Sequence, residues 1–211
     1  MTGFNPEEVN QTLSGINAAY SELIRAIGTD MQSKFVGGMA QKWACNQAIE
    51  FFRDAFQPTC ETLISDTNVI FQSVVDSVNS AASSWAASTG TTYNNSSFTP
   101  NNFKYDISVV RENIGGVRGI DKAEAQSVVN GLQSIKAAAD TALAKAKTAV
   151  TSHSAFIGDG QAETLSQALD KIKNNVNNAL TEVVAAVDKA IQATIASYED
   201  TAGRVSQAFN G

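Results

Sequence analysis

The residue types able to move protons, hold metals or attack carbonyl groups are few in this chain, and they are poorly placed for such work. His153 is the single histidine, and it stands between Ser152 and Ser154 with no carboxylate at helical spacing toward it. A histidine base needs a partner that orients its ring and a nucleophile within reach, so His153 reads as a spectator. Cys45 and Cys60 are the only cysteines, and neither has a second Cys or His at ligand spacing, which argues against a metal site. On one continuous helix their fifteen-residue separation puts the Cα atoms about 22 Å apart. A disulfide spans at most about 7 Å, so both read as small buried apolar residues. Gly115-Gly116-Val117-Arg118-Gly119 has the glycines of a phosphate cradle. It lacks the Lys-Ser/Thr ending of a P-loop and a buried strand leading into it, so it reads as a turn. Glu7-Glu8 and Glu199-Asp200 read as helix-end charges. No catalytic, metal or cofactor residue emerges, and the expectation is a protein that is not an enzyme and uses no cofactor.

Charge narrows the partners. Fifteen basic residues against 21 acidic ones give a net charge of −6, with no Lys/Arg cluster. A nucleic-acid backbone is therefore not the expected partner, because nothing supplies the counterion-release term. The first eight residues, Met1 to Glu8, contain no basic region and no apolar run, and no stretch approaches the roughly 20 apolar residues of a membrane span. The expectation is a chain made in the cytoplasm with no cleaved Sec-type leader.

The elements that would carry a binding surface are long helices. Apolar content is 43%, much of it alanine, and only Pro6, Pro58 and Pro100 interrupt. Asn5, Pro6 and Glu7-Glu8 form an N-cap, a first-turn proline and acids at the positive end of the dipole. Val9, Leu13, Ile16, Tyr20, Leu23, Ile27 and Met31 then recur in steps of four and three, the period of one helical face. The spacing predicts that this helix stops at Phe35-Val36-Gly37-Gly38-Met39. A second stripe starts near Trp43 and runs through Ile49, Phe52, Phe56, Cys60, Leu63, Ile70, Val74, Val78, Ala81 and Trp85, with a kink expected at Pro58.

Ser88 to Asn102 is polar and rich in turn formers, a linker by composition. Phe103 to Asp121 reads as a connector lying against the bundle. Asp121 can cap a third helix whose stripe is Val128, Leu132, Ile135, Ala139, Ala142, Ala146 and Ala149. Ser154 to Gly160 forms a second turn. A fourth helix carries Leu165, Leu169, Ile172, Val176, Leu180, Val183, Val187 and Ala190 and can run on to Phe209, with Asn174, Asn175, Asn177 and Asn178 off the stripe and solvated. The fold class expected is all-α: two long helical hairpins, residues 1–90 and 121–211, joined by a linker at 91–120 and packed as an elongated four-helix bundle. A lone hairpin would expose its whole stripe, so the two must meet.

At the first turn the chain resembles the WXG (ESAT-like) family of helical hairpins handled by type VII secretion systems. That family carries Trp-x-Gly in the turn and an aromatic residue further along. Here Trp43-Ala44-Cys45 stands at the junction, followed by Phe51 and Phe52, with Cys45 in place of the glycine. In the second half Phe156-Ile157-Gly158 keeps the glycine and replaces Trp by Phe. Family members pair two hairpins as a dimer, so the resemblance implies such a pair fused in tandem. It further implies secretion without a cleaved leader by the type VII route, or a cytoplasmic helical partner. The protein partners implied are the secretion ATPase, another WXG-like protein or a toxin, and a homodimer is a further expectation.

The family's export signal is a tyrosine followed four residues later by an acid. Tyr198 is placed for it, but position 202 is Ala202, and Glu199 and Asp200 come too early. Trp43, Phe156 and Trp85 have two readings, as anchors for a partner or as aromatics that close their own hairpins. The reading from a different class is a membrane-acting, pore-forming helical toxin component. The sequence offers it neither a strongly apolar hairpin tip nor a cationic face for lipid headgroups.

Overall fold

Asn5 opens the first arm as its composition requires. In the computed structural model, which describes residues 4–152 and 154–210, the Asn5 side chain accepts the Glu7 N–H at 3.0 Å and Pro6 takes the first helical position. The arm, α1 (residues 6–40), is α-helical over Pro6–Ile24, widens to π-helical geometry over Arg25–Val36 and closes with a turn at Gly37–Ala40. The helix passes through Gly37-Gly38 and ends at Ala40, one residue beyond the stop expected at Phe35-Val36-Gly37-Gly38-Met39. Gly37 keeps right-handed angles (φ −65°, ψ −37°), and its N–H bonds to the Gln32 carbonyl five residues back. The glycine beside it serves packing instead, since a Cβ on Gly38 would come within 3.1 Å of Val128.

Trp43–Ala44 forms β1, a two-residue strand, and not the first helical turn. Cys45 is extended and precedes the helix, so the two cysteines do not share one. The second arm, α2 (residues 46–89), has α-helix over Asn46–Phe51, π-helix over Phe52–Phe56 and α-helix over Gln57–Thr89. The distortion expected at Pro58 takes the form of that π segment. The Gln57 N–H reaches the Phe52 carbonyl five residues back, and Pro58, which has no N–H to donate, follows directly.

Asp121 caps the third arm by accepting the Glu124 N–H. This arm, α3 (residues 122–151), comprises Lys122–Asn130 and Leu132–Thr151 with a turn at Gly131. A single helical turn at Ser154–Ile157 leads to α4, Asp159–Asn210. Its 52 residues make a rod about 78 Å long.

Neighbouring arms run antiparallel. Glu22 pairs with Lys145 at 2.7 Å and Gly38 meets Val128, so rising numbers in α1 face falling numbers in α3. Tyr20 bonds Asn68 across α1 and α2, and Lys147 pairs with Asp170 across α3 and α4. Leu63 and Asn178 share a groove between α2 and α4. Each arm thus has two neighbours around a square, and α1 packs more extensively on α3 than on α2, its own hairpin partner. One continuous core results, running from Val9 to Ile191. The turn of the first hairpin lies at one end of the bundle, and that of the second at the other.

Residues 90–118 must therefore cross the full length of the bundle, and they do so as a strap beside α1 and α2. Phe98, Tyr105 and Val110 are its buried anchors. Amide side chains hold its backbone as a neighbouring strand would. Asn79 Nδ2 donates to the Ser96 carbonyl at 2.8 Å while its Oδ1 accepts the Ser96 N–H at 3.1 Å. Gln32 treats Asp106 the same way, at 2.9 and 2.8 Å. Asn101 N–H donates to Tyr20 Oη at 2.6 Å, and Asn68 Nδ2 donates to the Asn101 carbonyl at 3.1 Å. The strap ends as β2, Gly119–Ile120, antiparallel to β1 with Trp43 opposite Ile120.

The closest approach of α1 and α3 gives a direct test. A Cβ on Gly15 would lie 2.8 Å from the Ala149 Cβ. Gly15→Ala gains about 1 kcal/mol of helix propensity, yet overpacking of this kind costs about 1–3 kcal/mol. The expected result is a lower urea midpoint, restored by adding Ala149→Gly. A raised midpoint for Gly15→Ala alone would show that the arms are not in close contact there.

Candidate functional site: the hairpin tips and the C-terminal helix

The first tip is closed by an aromatic cluster. Trp43 is 0% exposed and its ring lies 5.9 Å from Phe51, which with Phe35, Phe52 and Phe56 forms a continuous set of tilted and edge contacts. Trp43 Nε1 has no hydrogen-bond partner among the described residues. Cys45 is also buried, with its sulfur 3.9 Å from the Thr194 hydroxyl of α4. Trp43, Cys45, Phe51 and Phe52 thus come together as core, and their side chains are not offered to solvent. Cys60 belongs to the same interior; burial pushes its thiol up to about 12, so it is inert as a nucleophile at neutral pH.

The second tip is built differently. Phe156 is 1% exposed, and its carbonyl accepts the indole N–H of Trp85 at 2.7 Å. The second turn is thereby tied to the end of the second arm of the first hairpin. Gly158 takes φ +84°, a left-handed angle that a side chain would strain. His153 lies outside the described residues.

Tyr198 occupies the opposite end from Phe156. It is 40% exposed, and its phenol is raised by partial burial and by nearby Cys45, while Arg118 opposes the shift. That places it beside the first tip and the end of the strap. The helix does not end there but runs on to Asn210, with residues 199–208 all exposed. Tyr198, Ala202 and Val205 are spaced four and three apart, so they continue the stripe of α4 beyond the point where its neighbours stop.

The grooves between arms carry little reactive chemistry. Between α3 and α4, Leu132, Lys136, Asn177, Leu180 and Asp188 line one, and Asn177 Oδ1 is buried there without a partner among the described residues. Between α2 and α4, Asp66 and Glu182 flank Asn175, which is half-buried, as is Asn177; the sequence placed both in solvent. Among the described residues no group of three or more His, Cys, Asp or Glu is arranged to hold a metal ion, and no helix is long and apolar enough to cross a membrane. Comparison of the chain with models of protein families, with curated proteins and with solved structures gives no match.

Proposed function

We propose that this is a non-enzymatic, tandem WXG-like protein that works by protein–protein recognition, as a substrate or helical partner of a type VII secretion system. One observation carries the reading: two hairpins lie antiparallel within one chain, with their tips at opposite ends and a shared core. That is the arrangement a fused pair of such hairpins would adopt. The buried tips leave recognition to the outer helical faces and to the exposed end of α4. There Tyr198 and position 202 share a face, so an acid at 202 would stand one turn beyond the ring, where the family's export signal has it.

Export in a strain with an active type VII system tests this. Ala202→Glu is expected to increase the protein recovered in the medium, and Tyr198→Ala to abolish what is exported. Wild-type protein that stays inside such cells, with Ala202→Glu making no difference, would rule out the substrate role and leave that of a cytoplasmic partner.

A further inference from the structure

The fifteen Lys and Arg residues are distributed unevenly along the chain. None lies between Arg53 and Lys104 or between Lys147 and Lys171, so the start of the strap and the second hairpin turn have none. Arg25, Arg53 and Arg204 lie within helical segments, as do all the lysines except Lys42 and Lys104. Lys42, in the first hairpin turn, is half-buried and pairs with Glu124 at 3.5 Å. Lys104 stands between half-buried Phe103 and buried Tyr105 and pairs with Glu61 at 2.6 Å. Arg111 and Arg118 are placed differently. They bound a non-helical run, residues 111–118, in which every residue is exposed.

The two arginines differ in what holds the backbone around them. Val110, directly before Arg111, is a buried anchor of the strap, so drawing the chain out there would pull it from the core. Before Arg118 stand Gly115, Gly116 and Val117, the last 68% exposed. A Cβ built on Gly115, Gly116 or Gly119 would meet no atom within 4 Å, so the backbone has open space on both sides of Arg118. Only the two-residue strand β2 follows it before α3 begins. The Arg118 guanidinium pairs with Glu112 at 2.8 Å, but both side chains are at least half exposed, and such a pair is weak.

We propose that the Arg118–Gly119 peptide bond is a processing site for a trypsin-like endoprotease, and that the cut leaves the bundle assembled as two chains. A protease of this class takes a basic side chain into an acidic specificity pocket. It also needs a few residues of backbone that can be drawn out, which is why nicking concentrates at exposed loop tips. Water adds across the amide: the C–N bond breaks, Arg118 keeps a carboxylate and Gly119 becomes an ammonium terminus. The pieces, residues 1–118 and 119–211, are the first hairpin with its strap and the second hairpin. They share one core. Glu22 pairs with Lys145 and Gly38 lies against Val128 across the two pieces, so their packing does not need the bond. The inference goes beyond the secretion reading and does not depend on it.

Brief digestion of the folded full chain with trypsin tests it, read by mass spectrometry and gel filtration. The expected result is a first cut after Arg118, with both fragments eluting together at the volume of the uncut chain and an unchanged circular dichroism spectrum. The urea midpoint of the cut protein should rise with protein concentration, since its halves part on unfolding, while that of the uncut chain should not. Arg118→Gln should abolish this first cut, and Arg111→Gln should leave it in place. Protein isolated from the cells that produce it should contain a chain beginning at Gly119. A first cut elsewhere, resistance of the folded chain while the denatured chain is digested, or fragments that separate without denaturant would each overturn the proposal. So would cell-derived protein in which every chain is full-length. Export of the Tyr198→Ala and Ala202→Glu variants is read separately, so failure here leaves the secretion reading standing.

Discussion

Leu132→Asp is expected to unfold the bundle or bring it close to unfolding. Leu132 is 2% exposed at the start of the long segment of α3, facing the shared core. The substitution removes a buried aliphatic side chain and puts a carboxylate in its place. Cavity formation alone costs about 2–5 kcal/mol, and the unpaired charge adds several more or forces the acid to stay protonated. A domain of this kind has about 5–15 kcal/mol in hand, so the loss consumes most of it. Thermal melts followed by circular dichroism measure the effect. The control is Asn174→Asp, exposed on α4, expected to shift stability by about 0.5 kcal/mol or less. Asn175 is unsuitable as a control because Asp66 and Glu182 line the same groove, so a new acid there would meet like charges. Equal melting of the Leu132 and Asn174 variants would mean that α3 is packed on another face.

The second large effect is expected at Asn79, which is 5% exposed and fastens the strap at three points. Its amide bonds both backbone groups of Ser96, and its Oδ1 also accepts the Tyr93 hydroxyl at 2.7 Å. Asn79→Ala leaves these partners without a mate in a half-buried setting, at a cost of about 2–4 kcal/mol. Hydrogen exchange should show the Ser96 amide losing protection together with a lower melting temperature. Ser83→Ala removes only an exposed bond to Asn95 and should cost about 0.5 kcal/mol or less. If the Asn79 variant exchanges and melts like the Ser83 variant, the strap is held by its aromatic anchors and the amide contributes nothing.

What could be read along the chain was whatever depends on short stretches of it. Asn5 and Asp121 cap helices through bonds to residues two and three positions away, so composition alone located both starts. The stripes from Val9 to Met31 and from Leu165 to Val187 are buried as their period requires, because helical geometry puts every third or fourth residue on one face whatever lies opposite. From those stripes the all-α bundle followed.

Features set by distant parts of the chain were decided only by tertiary packing. Gly37-Gly38 carried the local mark of a helix end, and the helix does end at Ala40, but Gly38 itself is a packing position against Val128, which the local sequence does not show. The Asn- and Ser-rich run after Gly90 read only as a linker, because the Asn68 and Asn79 amides that pair its backbone lie on another arm. Trp43, which the sequence left open between a partner anchor and an aromatic closing its own hairpin, is sealed in the core by β2 and its neighbouring rings. Ile114 and Val117, which had no periodic signal, are left exposed at a free-standing turn. The physical reason is common to all of these. Helical period is a property of consecutive residues, whereas the choice between burial and exposure belongs to whichever surface another arm brings into contact.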